Sequence, residues 1–252
     1  MNWRVPALLL CSASVPASAA DPKYGPADQP IATPLSQDHA YFQEPGHAAP
    51  DFWRLNSFYV PQNNEYSCSA AAAAMTLNAL LAARQPRNDQ DRNITPTSLI
   101  EKVKGDWQAL VSPAGLHGRH GLTLAQLEAL LRAGLQAYSQ TRFVVERHEV
   151  AAAGDKELAQ LRKTLIENEK SAEDLVVAHF VQDDLTKAAG GPYPHISPLG
   201  AYDAARKWVL IFDVDKEWYE PYWVPDTELL KAMAHATAAF GHGGYIRVSQ
   251  AP

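Results

Sequence analysis

The run from Cys68 to Leu81, Cys-Ser-Ala-Ala-Ala-Ala-Ala-Met-Thr-Leu-Asn-Ala-Leu-Leu, contains no charge, no Gly and no Pro. Ala and Leu are strong helix formers, and a helix this apolar around its circumference must be buried, so the chain has to build its core around it. The polar loop Gln62-Asn63-Asn64-Glu65-Tyr66-Ser67 leads into it. Ser67 is suited to the N-cap, which makes Cys68 the residue that opens the helix. A thiol there meets the unpaired N–H groups of a helix start, which favour an anionic sulfur and make it a nucleophile. Most lone cysteines are nevertheless small buried apolar residues, so Cys68 needs partners before it implies chemistry.

A chain of 252 residues with 46% hydrophobic residues can bury a substantial core, as one large domain or two small lobes sharing a cleft. Its formal charge is -6 and it has no basic cluster, which argues against nucleic acid as a partner. Residues 1–20 read as a secretory signal: Arg4, the apolar stretch Val5 to Cys11, then Ala17-Ser18-Ala19-Ala20 at a cleavage site. That apolar stretch is too short to span a bilayer and Pro6 interrupts it. The expectation is an exported protein without a membrane segment in its mature form, most simply in a bacterial periplasm. Of the two cysteines, Cys11 leaves with the signal. One thiol then remains in an oxidising compartment with no internal partner, and this favours chemistry over packing.

Residues 21–50 are rich in Pro, Gly and Ala and read as an extended arm over the surface. Asp51 to Pro61 is more apolar and leads into the Cys68 helix. Beyond the polar stretch Arg84 to Asn93, Thr95-Pro96 starts a helix through Lys104. A leucine-spaced helix follows from Leu122, with Gly134 as its stop. Thr141 to Glu149 reads as a strand, Asp155 to Asn168 as an amphipathic helix, and Leu175 to Val181 as a central strand. His195 to Tyr202 and Lys207 to Val214 form a hairpin, Thr227 to Ala239 a helix and Gly244 to Val248 a last strand. Helices first and antiparallel strands later predict an α+β protein.

A thiolate nucleophile needs a base and a group that orients the base. His195 heads one strand of the hairpin and Asp213 ends the other. Antiparallel partners share a constant index sum, so an odd loop centred on Ala204 sets the two opposite each other on one face. An even loop without a bulge turns them to opposite faces. Gln62, six positions before Cys68, can fold its amide beside the Cys68 N–H as the second donor of an oxyanion hole. His117 and His120, in a Gly-rich loop, and His242 read as surface residues rather than metal ligands, and His179 as a satisfied core histidine. Trp218, Tyr219, Tyr222 and Trp223 either wall a cleft or cover the sheet.

The order Gln62, Cys68, His195, Asp213 is that of the papain-like cysteine enzymes. Within that clan the chain resembles phytochelatin synthase. The match is carried by His195-Ile196-Ser197-Pro198-Leu199-Gly200-Ala201-Tyr202-Asp203, by Val209-Leu210-Ile211-Phe212-Asp213-Val214, by Tyr219-Glu220-Pro221-Tyr222-Trp223-Val224-Pro225 and by Met75 to Leu80. It runs from about Tyr59 to the C-terminus. The resemblance implies a papain-like catalytic domain over 51–252, in which a helical lobe opening with the nucleophile helix packs on an antiparallel sheet lobe. It implies that Cys68 is the nucleophile, His195 the acid and base, Asp213 the orienting carboxylate and Gln62 the oxyanion donor, with Lys216, Tyr219, Ser69 and Asn64 as substrate contacts.

The implied reaction cleaves glycine from glutathione through a γ-glutamylcysteinyl thioester, followed by hydrolysis or by transfer to a second glutathione. Short bacterial relatives favour hydrolysis. The chain departs from the family in having Ser69 where Gly is usual after the nucleophile and Lys216 where plant members have Arg. An acidic and a basic substrate-holding position of the family fall near Thr237 and Gly243. A papain-like peptidase or amidase for other small peptides is the alternative within enzymes, and a non-catalytic periplasmic metal- or thiol-binding protein the alternative outside them. No cofactor is required, and cadmium or zinc enters as a metal-glutathione thiolate. Oligomeric state stays open between monomer and homodimer.

Overall fold

The computed structural model describes residues 31–81 and 92–251. The signal read at 1–20 and most of the polar stretch 84–93 lie outside these residues. Within them the chain runs through β1 (Thr33–Pro34), α1 (Pro50–Asn56), α2 (Cys68–Leu81), α3 (Pro96–Lys102), α4 (Trp107–Leu110) and α5 (Leu124–Tyr138). It continues through β2 (Phe143–Glu149), α6 (Asp155–Asn168), β3 (Asp174–Val181), α7 (Gln182–Thr186), β4 (Pro194–Asp203) and β5 (Trp208–Ile211). The last elements are β6 (Tyr222–Pro225), α8 (Asp226–Ala234) and β7 (Gly244–Gln250). One antiparallel sheet takes all seven of these strands in the order β1-β6-β5-β4-β3-β7-β2. The class is α+β.

Strand periodicity of two sorts the side chains into two cores. Leu175 and Val177 of β3 join the core formed with α2, α3 and α5, whereas Val176, Ala178 and Phe180 join the one beneath α6 and α8. Both faces of the sheet are therefore covered, which is why every residue of β3 is buried. Helices α6, α7 and α8 fall among the strands rather than before them, and α6 and α8 cover the second face. All fourteen residues of α2 are buried. Its alanines keep the helix thin enough to lie close to β4.

Gly134 does not stop its helix, since α5 continues to Tyr138. A Cβ at Gly134 would lie 2.7 Å from Leu77 Cδ1 and 3.2 Å from Leu99 Cδ1. The missing side chain lets α5 approach α2 and α3, a packing role that outweighs the Gly penalty in a helix interior. The segment after residue 30 is more than a surface arm. Thr33 and Pro34 pair with Trp223 and Tyr222 as the edge strand, where a residue without an N–H is tolerated, and Tyr41 is buried. Among the described residues no helix is long and apolar enough to cross a membrane.

Candidate active site

Cys68 opens α2 as a buried free thiol. Ser67 sits just before it, and its carbonyl accepts from the N–H groups of Ala70 (3.1 Å) and Ala71 (3.2 Å). Its hydroxyl turns the other way, accepting from Asn63 N–H (2.8 Å) and Asn64 N–H (3.0 Å) and donating to the Asn64 carbonyl (3.0 Å). Ser67 thus braces the loop instead of capping the helix through its side chain. The first N–H groups of a helix have no intrahelical acceptor, so those of Cys68 and Ser69 are available beside the sulfur.

The contact between His195 and Asp213 arises by a route different from the odd loop expected. Asp203 pairs with Trp208 across the four-residue loop Ala204–Lys207, an even loop, and Tyr202–Val209 and Ala201–Leu210 keep that register. Uncorrected, it would separate His195 from Asp213 onto opposite faces. A bulge at Gly200 shifts the register by one, so that Leu199 pairs with Ile211. The core assignments record the switch: Ile196 and Ala201 face the α2 side, Leu199 and Tyr202 the other, so the alternation changes parity across Gly200. Extended past Ile211, the shifted register sets Ser197 across from Asp213 and His195 on the adjacent diagonal of the same face. A Cβ at Gly200 would stand 2.4 Å from Phe212 Cε2, so the bulge needs a glycine.

His195 Nε2 lies 2.8 Å from Asp213 Oδ1 and 3.0 Å from the Ser197 hydroxyl. The Cys68 side chain also acts on the same ring, through a hydrogen bond and its charge. Burial would pull the imidazole towards neutrality, but the charge and hydrogen bond of Asp213, joined by Cys68, outweigh it and hold His195 well above the ordinary histidine value. Asp213 is fully buried, which alone would raise it. The His195 charge and hydrogen bond, with hydrogen bonds from Gln182 and the Asp215 N–H, keep it below the usual carboxylate range. Sulfur, imidazole and carboxylate form one line able to pass a proton.

Gln62 hangs on this line by its backbone, its N–H donating to the Val214 carbonyl (2.8 Å), and its Oε1 is buried without a protein partner. Ser69 is fully buried next to the sulfur, and its hydroxyl likewise has no protein partner. The Lys216 ammonium lies 3.9 Å over the centre of the Tyr59 ring, whose hydroxyl donates to the Asp213 carbonyl. Two other expected substrate contacts are engaged in the scaffold. The Asn64 amide donates to the Val111 carbonyl (3.2 Å) and accepts from Tyr66 N–H (2.9 Å). Tyr219 is buried, with its hydroxyl donating to Thr186 (3.2 Å).

Of the four aromatics weighed as cleft wall or sheet cover, Tyr219, Tyr222 and Trp223 are buried and Trp218 is exposed. His120 Nδ1 lies 3.0 Å from the Ser112 carbonyl, and the ring stacks on Tyr66. His242 Nδ1 is similarly engaged by the Ala234 carbonyl (2.8 Å). His179 is a core residue, but its Nδ1 lacks a protein partner, contrary to expectation. Burial, with the neighbouring His195 charge, lowers it to about 4. Among the described residues no group of three or more His, Cys, Asp or Glu side chains could hold a metal ion. Reading by sequence missed Ser197, Gln182 and Tyr222, all of which touch the pair. Only Tyr222 carried a signal, as a member of the aromatic cluster.

The sequence matches the family model of phytochelatin synthase over residues 28–244. It is 25% identical over 208 residues to glutathione gamma-glutamylcysteinyltransferase 1 of Lotus japonicus, covering 79% of this chain and 36% of that protein. To transferase 3 of the same plant it is 27% identical over 210 residues, covering 79% and 37%, and to transferase 1 of Arabidopsis thaliana 23% over 210 residues, covering 79% and 37%. The chain therefore spans little more than a third of the length of these relatives, and the stretch matched by the family model includes Gln62, Cys68, His195 and Asp213. With the family model matching most of its residues, the chain belongs to the phytochelatin synthase family.

Proposed function

We propose that this chain is a papain-like acyl-transfer enzyme that removes glycine from glutathione, the substrate class named for its plant relatives. The reading is carried by the buried line from the Cys68 sulfur through the His195 ring to an ionised Asp213. In this scheme the Cys68 thiolate attacks the carbonyl of the cysteinyl-glycine bond. The developing oxyanion is met by the Cys68 N–H and the Gln62 amide. His195 passes its proton to the leaving glycine nitrogen as the C–N bond breaks, leaving γ-glutamylcysteine as a thioester on Sγ. Neutral His195 then takes a proton from water, whose oxygen attacks the thioester and frees γ-glutamylcysteine. When the acyl group instead passes to the amine of a second glutathione, a phytochelatin results. Water is the favoured acceptor.

The substrate contact in this scheme comes from Lys216, beside the line, while the fully buried Ser69, with Asn64 and Tyr219, acts through the scaffold. Cadmium or zinc enters as a thiolate complex of the substrate, since soft metals bind sulfur. An exported setting follows from the reading of residues 1–20. Incubating wild type and Cys68→Ser with glutathione, with and without cadmium, tests the scheme. Glycine should appear only with the thiol, together with a γ-glutamylcysteinyl mass increase on Cys68. Equal release by both proteins rejects it. A second reading, an amidase for other small peptides, is favoured by the uncharged Thr237 and Gly243 where the resemblance sets an acid and a base. Glycine release from glutathione outpaced by cleavage of other dipeptide amides would select it.

A further inference from the structure

We infer that Gln182 and Tyr222 are positioning residues for the Asp213 carboxylate, holding it charged and aimed so that Oδ1 faces the His195 ring. The inference rests on the role given to Asp213 above. Its two oxygens receive four donors from separate parts of the chain. Oδ1 accepts from His195 Nε2 (2.8 Å) and the Asp215 N–H (2.9 Å). Oδ2 accepts from Gln182 Nε2 (2.8 Å) and the Tyr222 hydroxyl (2.8 Å). Two donors on each oxygen of a planar group oppose its rotation and its protonation alike.

Both donors are themselves fixed. Gln182 follows β3 directly, and its N–H donates to the Tyr193 carbonyl (2.9 Å), in the loop that leads to His195. One residue thus links, by its backbone, the approach to the imidazole and, by its side chain, the carboxylate behind it. Tyr222 opens β6 and pairs with Ile211, two residues before Asp213, and is wholly buried. A carboxylate without solvent exposure is costly to ionise, and neutral donors on the charged form offset that cost. Deprived of them, Asp213 would take up its proton at higher pH and turn more freely about its own bond. Its bond to Nε2 would be less firmly aimed, and the ring would lose the orientation that turns it to the sulfur.

Gln182→Met and Tyr222→Phe each delete one donor at nearly constant volume. Carbon-13 resonances of aspartate carboxyls, with that of Asp213 assigned by its loss in Asp213→Asn, report its titration directly. In each variant the Asp213 midpoint should rise by about one pH unit, and further in the double variant. Alkylation of Cys68 by iodoacetamide at neutral pH should slow by about threefold or more. An unmoved midpoint in both single variants, with thermal melts showing that they fold, overturns the inference. Neither readout involves glutathione, so absent glycine release would reject the substrate reading while leaving this one intact, and the reverse also holds.

Discussion

The His195 ring stands between a sulfur and a carboxylate, and the carboxylate decides how long it stays protonated as pH rises. Replacing Asp213 with Asn keeps the shape and removes the charge that raises the imidazole. His195 should then release its proton at lower pH, so the alkaline limb of the glycine-release profile moves down by about one unit or more. kcat should fall with KM nearly constant, because Asp213 lies behind the ring and does not reach substrate. An alkaline limb identical to that of wild type would show that some other group governs His195. At this scale the nearness of His195 to Asp213 was legible from residue type and order. Ser197 and Gln182 were not legible, and Tyr222 only as one of an aromatic cluster, because a hydroxyl or amide reaching the His195–Asp213 pair leaves no periodicity.

Elements whose pattern repeats over several turns or residues were readable, and those defined by one local irregularity were not. The helix Asp155–Asn168 has its expected bounds, and the helices after Thr95 and Leu122 begin at or near their expected starts, where Thr95 and Thr123 accept from the N–H groups of Ser98 and Gln126. The short α4, α7 and β6 span too few residues to display a period. Gly200 is the consequential case, since a bulge is one residue of misregister and no alternation of side chains announces it. Gly200→Ala forces a Cβ against the Phe212 ring and should cost about 1–3 kcal/mol of stability. Activity should fall further than stability, because relief of the clash requires the strands to slide and the slide separates His195 from Asp213. Adding Phe212→Leu makes room and should restore part of both. A Gly200→Ala protein with wild-type melting and glycine release would remove the bulge from the explanation of the site.

Across the whole molecule, the two layers of helices meet around one end of the sheet at a buried acid. Asp51 of α1, on the α2 side, accepts through Oδ2 from the Asn168 amide at the end of α6, on the other side. Oδ1 of Asp51 and Oδ1 of Asn168 both lack partners. One proton on Asp51 would satisfy both, turning the pair into a two-bond acid–amide dimer. The electrostatics agree. Burial first, then the charges of Glu169 and Asp174, raise Asp51 well above the ordinary aspartate value, against the weaker pull of the Asn168 bond and Arg54. A folded-state value raised above the unfolded one favours the neutral form, so this contribution is complete below the unfolded value and is lost as pH rises through the folded one.

Glu169, which accepts from the Tyr41 hydroxyl and Tyr202 N–H and is raised by burial to about 7, slopes the same way, so wild type alone cannot isolate Asp51. Asp51→Asn can. An amide facing an amide makes both bonds at every pH, while Glu169 titrates in both proteins. The melting temperatures should coincide in acid and diverge as pH rises, the variant becoming the more stable by about 1–3 kcal/mol, the cost of leaving buried acceptors unpaired. Melting curves that stay parallel from acid to alkaline pH would mean that Asp51 does not change its protonation in the fold, and that the single bond from Asn168 is all that joins the pair.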